Sequence, residues 1–336
     1  MNNFRDLSSL FESHKPSLRT FYLLSPTKVH RQGSVLIRTP YNAERMRGQA
    51  MSWANAGYDA FIQDVRGRYG SQGAWEPYTH EAEDGLRTIE TLNSAGLLDD
   101  TFFLVGASYE AHTALTAAEE LCKNSQKPTG VIAMVPALGL WDTAHAPDGT
   151  PRLYDRIGWW LQHGYGAESH APTSEEKLKM LTQIGRQEGA LALLQHPPFS
   201  KSAHLQQQWT KLWQEKAPSF ETRWANIKVP LLAVGGDADF FAEDTRNLYA
   251  HWHASASLIW GPWGHGLGTE WDYHSKLRVE LRKSGGLFPH LLQWMKKIAH
   301  HPEYALNRTF IPSAGRGLPH WKESTKSELR KNLSEH

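Results

Sequence analysis

Hydrophobic positions in this chain follow two recurring patterns. Short, nearly continuous apolar runs predict buried strands, and segments with apolar residues three or four positions apart predict helices. The predicted strands are residues 19–25, 34–38, 58–65, 102–105, 130–135, 229–235 and 257–260. Helical patterns separate most of these strands, so the sequence predicts an α/β fold with a doubly wound, mostly parallel sheet.

One long segment interrupts this alternation. Residues 141–224 have no strand pattern, whereas Leu205, Trp209 and Leu212 lie at the spacing of one helix face. We therefore expect a helical cap inserted into the sheet. The expected organisation is a core of residues 1–140 and 225–300, a cap of residues 141–224 and a tail of residues 301–336.

The sharpest local pattern lies at residues 102–117, where an apolar run stops at a glycine. Gly106 and Ala107 are small enough for a tight turn before Ser108, and helical spacing follows. A strand, a sharp turn and a helix make up a nucleophile elbow, which lifts a serine hydroxyl above the sheet. Ser108 is the candidate nucleophile, and the alternative is a structural serine at a strand end.

Polar residues follow several of the predicted strands. Tyr41, Ser108, Asp239 and His265 each lie just beyond a strand end. Open parallel sheets place their chemistry at this edge, so the four side chains are expected to gather there. The order Ser, Asp, His along the chain is the order of an α/β-hydrolase triad.

Composition narrows the classes of function. Lys and Arg total 36 against 35 Asp and Glu, so no basic face for nucleic acid is expected. Cys122 is the single cysteine, which excludes an intrachain disulfide, and no apolar run is long enough to cross a bilayer. The N-terminus lacks the pattern of a signal peptide, so we expect a cytoplasmic protein without membrane partners. The 14 Trp, 12 Phe and 11 Tyr predict an aromatic core or an aromatic-lined pocket.

Neither a cofactor nor a metal is expected. The loop of residues 66–73 is rich in glycine but lacks the lysine of a phosphate-binding loop. Asp64 and Arg66 beside it are expected to form a buried ion pair that holds the loop. His251 and His253 lie two positions apart, so on a helix they face different ways and are not expected to bind a metal.

Several separated motifs together resemble one family. They are IRTPYN from Ile37, QDVRGRYGSQGAWEPY from Gln63, GASYEA from Gly106, WANIKVPLLAVGGDADFF from Trp224 and GPWGHG from Gly261. In combination they are similar to the α/β-hydrolase group that contains cocaine esterase, the X-Pro dipeptidyl peptidases and the α-amino acid ester hydrolases. The resemblance implies the α/β-hydrolase fold and the activity of a serine hydrolase.

The resemblance also implies roles for individual residues. Ser108 would be the nucleophile, His265 the base and Asp239 the acid of the triad. The hydroxyl of Tyr41 and the backbone N–H of Tyr109 would stabilise the oxyanion.

Two of these positions, Asp239 and Tyr41, allow other interpretations, and Glu110 departs from the family pattern. Asp237 lies two residues from Asp239, and an aspartate there could instead cap the next helix. Tyr41 could be only a packed aromatic. Glu110 stands where the family commonly has a small or apolar residue, and its carboxylate would either contact a cationic substrate or point into solvent.

Family members generally continue into a β jelly-roll domain, and only residues 308–324 of this chain resemble its opening. We therefore expect the cap and aromatic residues near the triad to enclose the acyl group, or a second subunit of a homodimer to supply a wall. The candidate pocket residues are Trp159, Trp160, Phe240, Phe241 and Trp263. The alternative for Trp159 and Trp160 is that they seat the cap on the sheet.

The sequence therefore predicts a serine hydrolase that cleaves a small-molecule ester or amide through an acyl-enzyme. An acyltransferase or cyclase, in which an amine or hydroxyl takes the acyl group, would carry the same motifs and stays an alternative. A non-catalytic binding protein built on the same scaffold is the third interpretation.

Overall fold

One mixed β-sheet runs through the part of the chain that the computed structural model describes, which is residues 4–13, 15–219, 222–313 and 317–325. Its ten strands are, in chain order, β1 (Arg5–Asp6), β2 (Thr20–Leu23), β3 (Gly33–Thr39), β4 (Tyr58–Asp64), β5 (Phe102–Ala107), β6 (Gly130–Met134), β7 (Leu231–Gly236), β8 (Ala256–Gly261), β9 (Asn307–Ile311) and β10 (His320–Glu323). They are arranged in the order β1-β2-β4-β3-β5-β6-β7-β8-β9-β10.

Parallel pairing holds the centre of the sheet. β3 pairs with both β4 and β5, and each later strand up to β9 pairs in parallel with the strand before it. Antiparallel pairs occur towards the two edges, where β2 joins β4 and β1, and where β10 joins β9. The predicted α/β fold with a doubly wound, mostly parallel sheet is confirmed, and the predicted strands lie within a few residues of the observed bounds.

Helices cover both faces of the sheet. In the described residues they are α1 (Arg47–Asn55), α2 (Glu81–Ser94), α3 (Tyr109–Lys123), α4 (Leu140–Ala144), α5 (Leu153–His163), α6 (Glu175–Glu188), α7 (Ala203–Gln214), α8 (Ala242–Ala250), α9 (Lys276–Lys283) and α10 (Phe288–Ile298). Not one of these helices combines the length and the apolar character that crossing a membrane requires.

The core has two layers because side chains alternate along the buried strands. In β5, Phe102 and Leu104 join the apolar cluster beneath α2, α3 and α8, while Phe103 and Val105 join the cluster beneath α1 and α10. Burial of both faces explains why the sequence shows continuous apolar runs at these strands instead of alternation.

The segment between β6 and β7 is helical. It contains α4 to α7 and two short 3-10 helices, Ala190–Gln195 and Phe199–Lys201, and its described residues add no strand to the sheet. It has an apolar core of its own, in which Trp160 and Trp209 are fully buried. This segment is therefore a packed unit over the sheet, and α5 is its part nearest the candidate nucleophile.

The last two strands correct the boundary expected at residue 300. β9 pairs in parallel with β8 and β10 pairs with β9, so residues expected to form a separate tail extend the sheet of the core. Phe310 of β9 is buried and stacks on Trp263 with 6.2 Å between the ring centroids. Because the pairing joins Asn307 to Leu258, far apart in the chain, local patterns do not reveal it.

The ion pair beside the glycine-rich loop after β4 has a different partner from the predicted one. Arg66 donates to both carboxylate oxygens of Asp84, at 2.9 and 2.6 Å. Asp64 instead accepts the backbone N–H of Ala43 at 2.7 Å, and burial raises the pKa of Asp64 to about 6. The predicted Asp64–Arg66 pair is wrong, because Arg66 turns towards α2, where Asp84 lies.

Candidate active site

The turn between β5 and α3 holds Ser108 in a strained backbone conformation. Ser108 has φ 58° and ψ −122°, a region that residues other than glycine rarely occupy. Gly106 has no space for a side chain, because a Cβ there would lie 2.1 Å from the carbonyl group of Glu110. The turn therefore has the geometry of a nucleophile elbow, which presents the Ser108 hydroxyl at the carboxyl edge of the sheet.

Ser108, His265 and Asp239 form one chain of hydrogen bonds. His265 Nε2 lies 2.9 Å from Ser108 Oγ, and His265 Nδ1 lies 2.9 Å from Asp239 Oδ1. Asp239 comes from the turn between β7 and α8, and His265 from the loop after β8, so neighbouring strand ends bring the three together. The Asp239 side chain is completely buried, whereas that of His265 is 28% exposed and faces the cleft.

Asp237, the alternative acid, points elsewhere. Its carboxylate accepts the indole N–H of Trp260 at 2.7 Å and contacts Arg246 at 3.5 Å, and its side chain is 63% exposed. The structure thus brings Asp239, and not Asp237, to His265.

Tyr41 lies beside Ser108, just after the end of β3. Its hydroxyl accepts the indole N–H of Trp159 at 3.1 Å. Burial raises the pKa of Tyr41 above its ordinary value, and hydrogen bonds with Trp159 and Ser108 oppose this shift. Tyr41 is therefore protonated at neutral pH and has an O–H group next to Ser108.

The backbone of Tyr109 offers a second donor. Tyr109 is the first residue of α3, and the first N–H groups of a helix have no acceptor within that helix. Its side chain points away from the cleft, where its hydroxyl bonds with Glu81 and accepts the backbone N–H of Tyr78 at 2.8 Å. The helix N-terminus also carries a partial positive charge, which favours an oxyanion at this position.

Arg68 of the glycine-rich loop holds the turn that carries Tyr41. Its guanidinium group is fully buried and donates to the carbonyl of Pro40 at 3.1 Å. It also donates to the carbonyl of Gly166 and the hydroxyl of Ser169, each at 2.8 Å. The loop that resembles a phosphate cradle in composition therefore ties the strand end to the segment after α5.

Glu110 is buried beside the elbow and matches neither of the interpretations drawn from the sequence. It is 6% exposed, and its Oε1 accepts the hydroxyl of Thr39 at 2.7 Å. Its Oε2 accepts the backbone N–H of Ala107 at 3.4 Å. Burial raises the pKa of Glu110 to about 7. The carboxyl group thus neither lines the cleft nor faces solvent.

The aromatic pocket candidates separate into two groups. Trp159 and Phe240 line the cleft, and Phe240 stacks on His265 with 4.3 Å between ring centroids. Phe241 is 1% exposed and packs edge-on against His265 at 5.5 Å, beneath the cleft wall. Trp160 and Trp263 do not line the cleft: Trp160 packs inside the cap and Trp263 against β9. The prediction that Trp160, Phe241 and Trp263 line the pocket is wrong, because all three side chains are buried and none of them lines the cleft.

The cleft over Ser108 has a volume of about 380 Å³. It is lined by Tyr41, Ser108, Asp155, Arg156, Trp159, Gln162, His163, Phe240 and His265. Four of these residues were not predicted from the sequence: Asp155, Arg156, Gln162 and His163. Their signal was present in α5, since Arg156, Trp159 and His163 lie at i, i+3 and i+7 and so share one helix face.

His163 is held as a neutral ring against Tyr41. Burial, followed by the nearby charge of Arg68, lowers the pKa of His163 to about 4. Its Nδ1 lies 2.8 Å from Ser169 Oγ, and its ring packs edge-on against Tyr41 with 5.1 Å between centroids. His163 therefore supports Tyr41 without adding a charge to the cleft.

The described residues contain no group of three or more His, Cys, Asp or Glu placed to hold a metal ion.

The sheet order, the elbow and the Ser–His–Asp arrangement are those of an α/β-hydrolase of the serine hydrolase type. The family model described as X-Pro dipeptidyl-peptidase (S15 family) matches residues 21–267, and the chain belongs to this family.

Individual relatives agree with this assignment. Cocaine esterase from Rhodococcus sp. (strain MB1 Bresler) is 23% identical over 259 residues, which cover 69% of this chain and 44% of that protein. An aminopeptidase structure from a marine sediment Thaumarchaeota archaeon has a TM-score of 0.61 at 18% identity, covering 96% of this chain and 58% of that one. An α-amino acid ester hydrolase structure has a TM-score of 0.60 at 16% identity, covering 95% and 58%. At these identities the two structures show the shared fold, and this chain spans about half the length of such relatives.

Proposed function

We propose that this protein is a serine hydrolase that cleaves an ester or amide bond through an acyl-enzyme on Ser108. The observation that carries the proposal is the continuous hydrogen-bonded chain from Ser108 through His265 to Asp239, with both separations at 2.9 Å. A structural serine at a strand end needs neither a strained backbone nor an imidazole at its hydroxyl. The same geometry argues against a non-catalytic scaffold.

Acylation follows from the positions of these groups. Ser108 Oγ attacks the carbonyl carbon of the substrate while His265 Nε2 takes the hydroxyl proton. Asp239, bonded to Nδ1, fixes the tautomer of the ring and stabilises the imidazolium that forms. The proton then passes from Nε2 to the departing alcohol or amine as the bond to the leaving group breaks.

Two donors stabilise the tetrahedral intermediate. The hydroxyl of Tyr41 and the backbone N–H of Tyr109, the residue after Ser108, donate to the developing oxyanion. The indole N–H of Trp159 donates to the oxygen of Tyr41, which leaves the phenolic hydrogen for the oxyanion. Water, activated by His265, then attacks the acyl carbon and releases the acid.

The cleft favours a substrate with an apolar portion. Trp159 and Phe240 contribute aromatic surface to the cleft, and burial of apolar area supplies much of the affinity in such pockets. The names of the relatives, an esterase, an aminopeptidase and an ester hydrolase, support an ester or amide as the bond that is cleaved.

A fluorophosphonate probe tests the proposal directly. Purified protein should gain one adduct, located at Ser108 by peptide mass spectrometry, and Ser108→Ala should gain none. Turnover of activated esters should be lost in parallel. An unlabelled wild-type protein without esterase or amidase activity would support the non-catalytic alternative.

The acyl acceptor is tested by product analysis. With an aromatic ester as substrate, the free acid should be the main product in buffer. If an added amine or alcohol captures most of the acyl group at millimolar concentration, the protein is an acyltransferase that uses the same site.

A further inference from the structure

Three arginine side chains are buried in the described residues, and one of them differs from the others. Arg38 donates to the side-chain oxygen of Gln63 at 2.9 Å, and Arg68 donates to the carbonyl of Pro40 at 3.1 Å. Arg156 is only 3% exposed, yet its guanidinium group forms no hydrogen bond or ion pair with any described residue. A buried cation without a partner is costly, so its position calls for an explanation.

The guanidinium group of Arg156 is held between aromatic rings at the wall of the cleft. Its Cζ lies 5.4 Å from the ring centroid of Phe241, 5.9 Å from Trp159 and 6.0 Å from Phe240. Its Nε is completely buried and has no partner, whereas the two terminal nitrogens are not enclosed to that degree. Arg156 lines the same cleft as Ser108, so an anion bound in this cleft can reach the terminal N–H groups.

Among the described residues, no carboxylate lies within ion-pair distance of this charge. Burial lowers the pKa of Arg156, and Asp155 is the carboxylate whose charge opposes this shift, after the hydroxyl of Tyr78. The described side chains of Asp155 and Arg156 form no ion pair. Consecutive helix residues project about 100° apart, which keeps the two side chains separate. Arg152, one turn earlier on the chain, is paired with Asp244. The free donors of Arg156 are therefore available to an anion that enters with the substrate.

We propose that Arg156 binds a carboxylate of the substrate, so that the preferred ester or amide carries an acidic group near the scissile bond. This inference rests on the proposed hydrolase function. The planar fork of arginine matches both oxygens of a carboxylate, and the aromatic surroundings exclude water and strengthen the pair. Asp155, which lines the same cleft, disfavours a doubly charged phosphate relative to a singly charged carboxylate.

Two matched substrates test the proposal on the wild-type protein. The 4-nitrophenyl ester of glutaric acid, which has a free carboxylate, is compared with the same ester whose second acid is methylated. We expect a higher kcat/KM for the free carboxylate. We also expect glutarate to inhibit hydrolysis of the neutral ester competitively.

Variants locate the effect. Arg156→Gln should lower the ratio of the two kcat/KM values by about 10- to 100-fold, the usual scale of a charge-assisted hydrogen bond, and weaken glutarate inhibition. Arg156→Lys should retain part of the preference. Arg186→Gln is the matched control, because Arg186 is an exposed arginine on α6 and its loss changes the net charge equally. This control should keep the wild-type ratio.

The possible failures are distinguishable. Fluorophosphonate labelling of each variant shows whether its site is still assembled. If the wild-type protein hydrolyses the neutral ester at least as well as the acidic one, the carboxylate proposal is overturned while the hydrolase proposal stands. The same conclusion follows if a labelled Arg156→Gln protein keeps the wild-type ratio. If the wild-type protein neither labels nor hydrolyses either ester, both proposals are overturned.

Discussion

The hydroxyl of Thr39 donates to Glu110 Oε1 at 2.7 Å and accepts the backbone N–H of Tyr41 at 3.1 Å. Thr39 ends β3, and Glu110 is the second residue of α3, directly after the nucleophile turn. One side-chain pair therefore joins the strand end that carries Tyr41 to the turn that carries Ser108. The link therefore connects the proposed oxyanion donor Tyr41 to the turn of Ser108, the proposed nucleophile.

Loss of the nucleophile or the base should abolish turnover. Ser108→Ala and His265→Ala should each lower kcat by roughly 1,000-fold or more, because the two groups act as one unit. Initial rates with an activated ester measure the loss. Thermal unfolding should stay close to that of the wild-type protein, and a residual rate near wild type in either variant would contradict the assigned roles.

The two aspartates of the β7–α8 turn should behave differently. Asp239→Asn should lower kcat severely, by up to about 10,000-fold, because an amide at Nδ1 favours the wrong imidazole tautomer. Asp237→Asn is the matched control and should change kcat little, since Asp237 bonds to Trp260 outside the cleft. A reversed pattern would assign the acid to Asp237.

Removal of one hydroxyl should test the oxyanion role of Tyr41. Tyr41→Phe should lower kcat by roughly 100- to 1,000-fold with a smaller effect on KM, as expected for a donor that acts mainly in the transition state. Trp159→Phe is the comparison, because it removes the N–H that bonds to Tyr41 and part of the ring but keeps the Tyr41 hydroxyl, so it should lower kcat less. An unchanged kcat in Tyr41→Phe would mean that backbone donors alone hold the oxyanion.

Glu110 should make stability depend on pH. Burial raises its pKa from the ordinary 4.5 to about 7, so the folded state favours the protonated acid. The contribution of the protonated Glu110 to the free energy of unfolding is fully present below about pH 4.5 and is lost as the pH rises through about 7. Glu110→Gln, which resembles the protonated acid, should therefore gain in free energy of unfolding relative to wild type over this range.

The Glu110 effect can be measured by denaturant titrations at several pH values. The free energy of unfolding is plotted against pH for the wild-type protein and for Glu110→Gln. The slopes of the two plots should differ by up to one proton, or about 1.4 kcal/mol per pH unit. Glu90→Gln, an exposed change on α2, is the control and should leave the slope as in the wild type. Parallel curves for Glu110→Gln and wild type would show that Glu110 is ionised throughout.

The sequence predicted the features that depend on residues close together along the chain. The run of Phe102 to Val105 before Gly106 predicted both a strand and its turn, because a buried parallel strand and a tight turn each have a composition of their own. The same holds for Asp239 and His265, which follow strands at the edge where parallel sheets place their chemistry.

Contacts between distant segments were not predictable in this way. The link from Glu110 to Thr39 joins two elements whose side chains meet only once β3 and β5 are paired. Trp159 and Trp160 are adjacent in sequence, and only the orientation of α5 decides that one lines the cleft and the other fills the cap core. Arg156 was not predicted to line the cleft, because a charged residue on a helix is usually exposed to solvent.

The pair Trp159 and Trp160 gives a test of how the cap contributes. Trp160 is fully buried and lies 6.5 Å from Trp209 between ring centroids, so Trp160→Ala should destabilise the protein by about 3–5 kcal/mol. Trp159 lines the cleft and bonds to Tyr41, so Trp159→Ala should mainly lower kcat/KM, and more for esters of aromatic acids than for acetate esters.

The comparison of the two alanine variants separates packing from substrate contact. Trp160→Ala is assayed below its unfolding temperature, on protein that still labels with the fluorophosphonate. It should keep the wild-type ratio of kcat/KM for aromatic esters to kcat/KM for acetate esters, because Trp160 does not reach the cleft. Trp159→Ala should lose that ratio while unfolding near the wild-type temperature. If both variants lost stability equally and neither changed the ratio, α5 would only seat the cap on the sheet, and the acyl group would be bound by Phe240 and its neighbours instead.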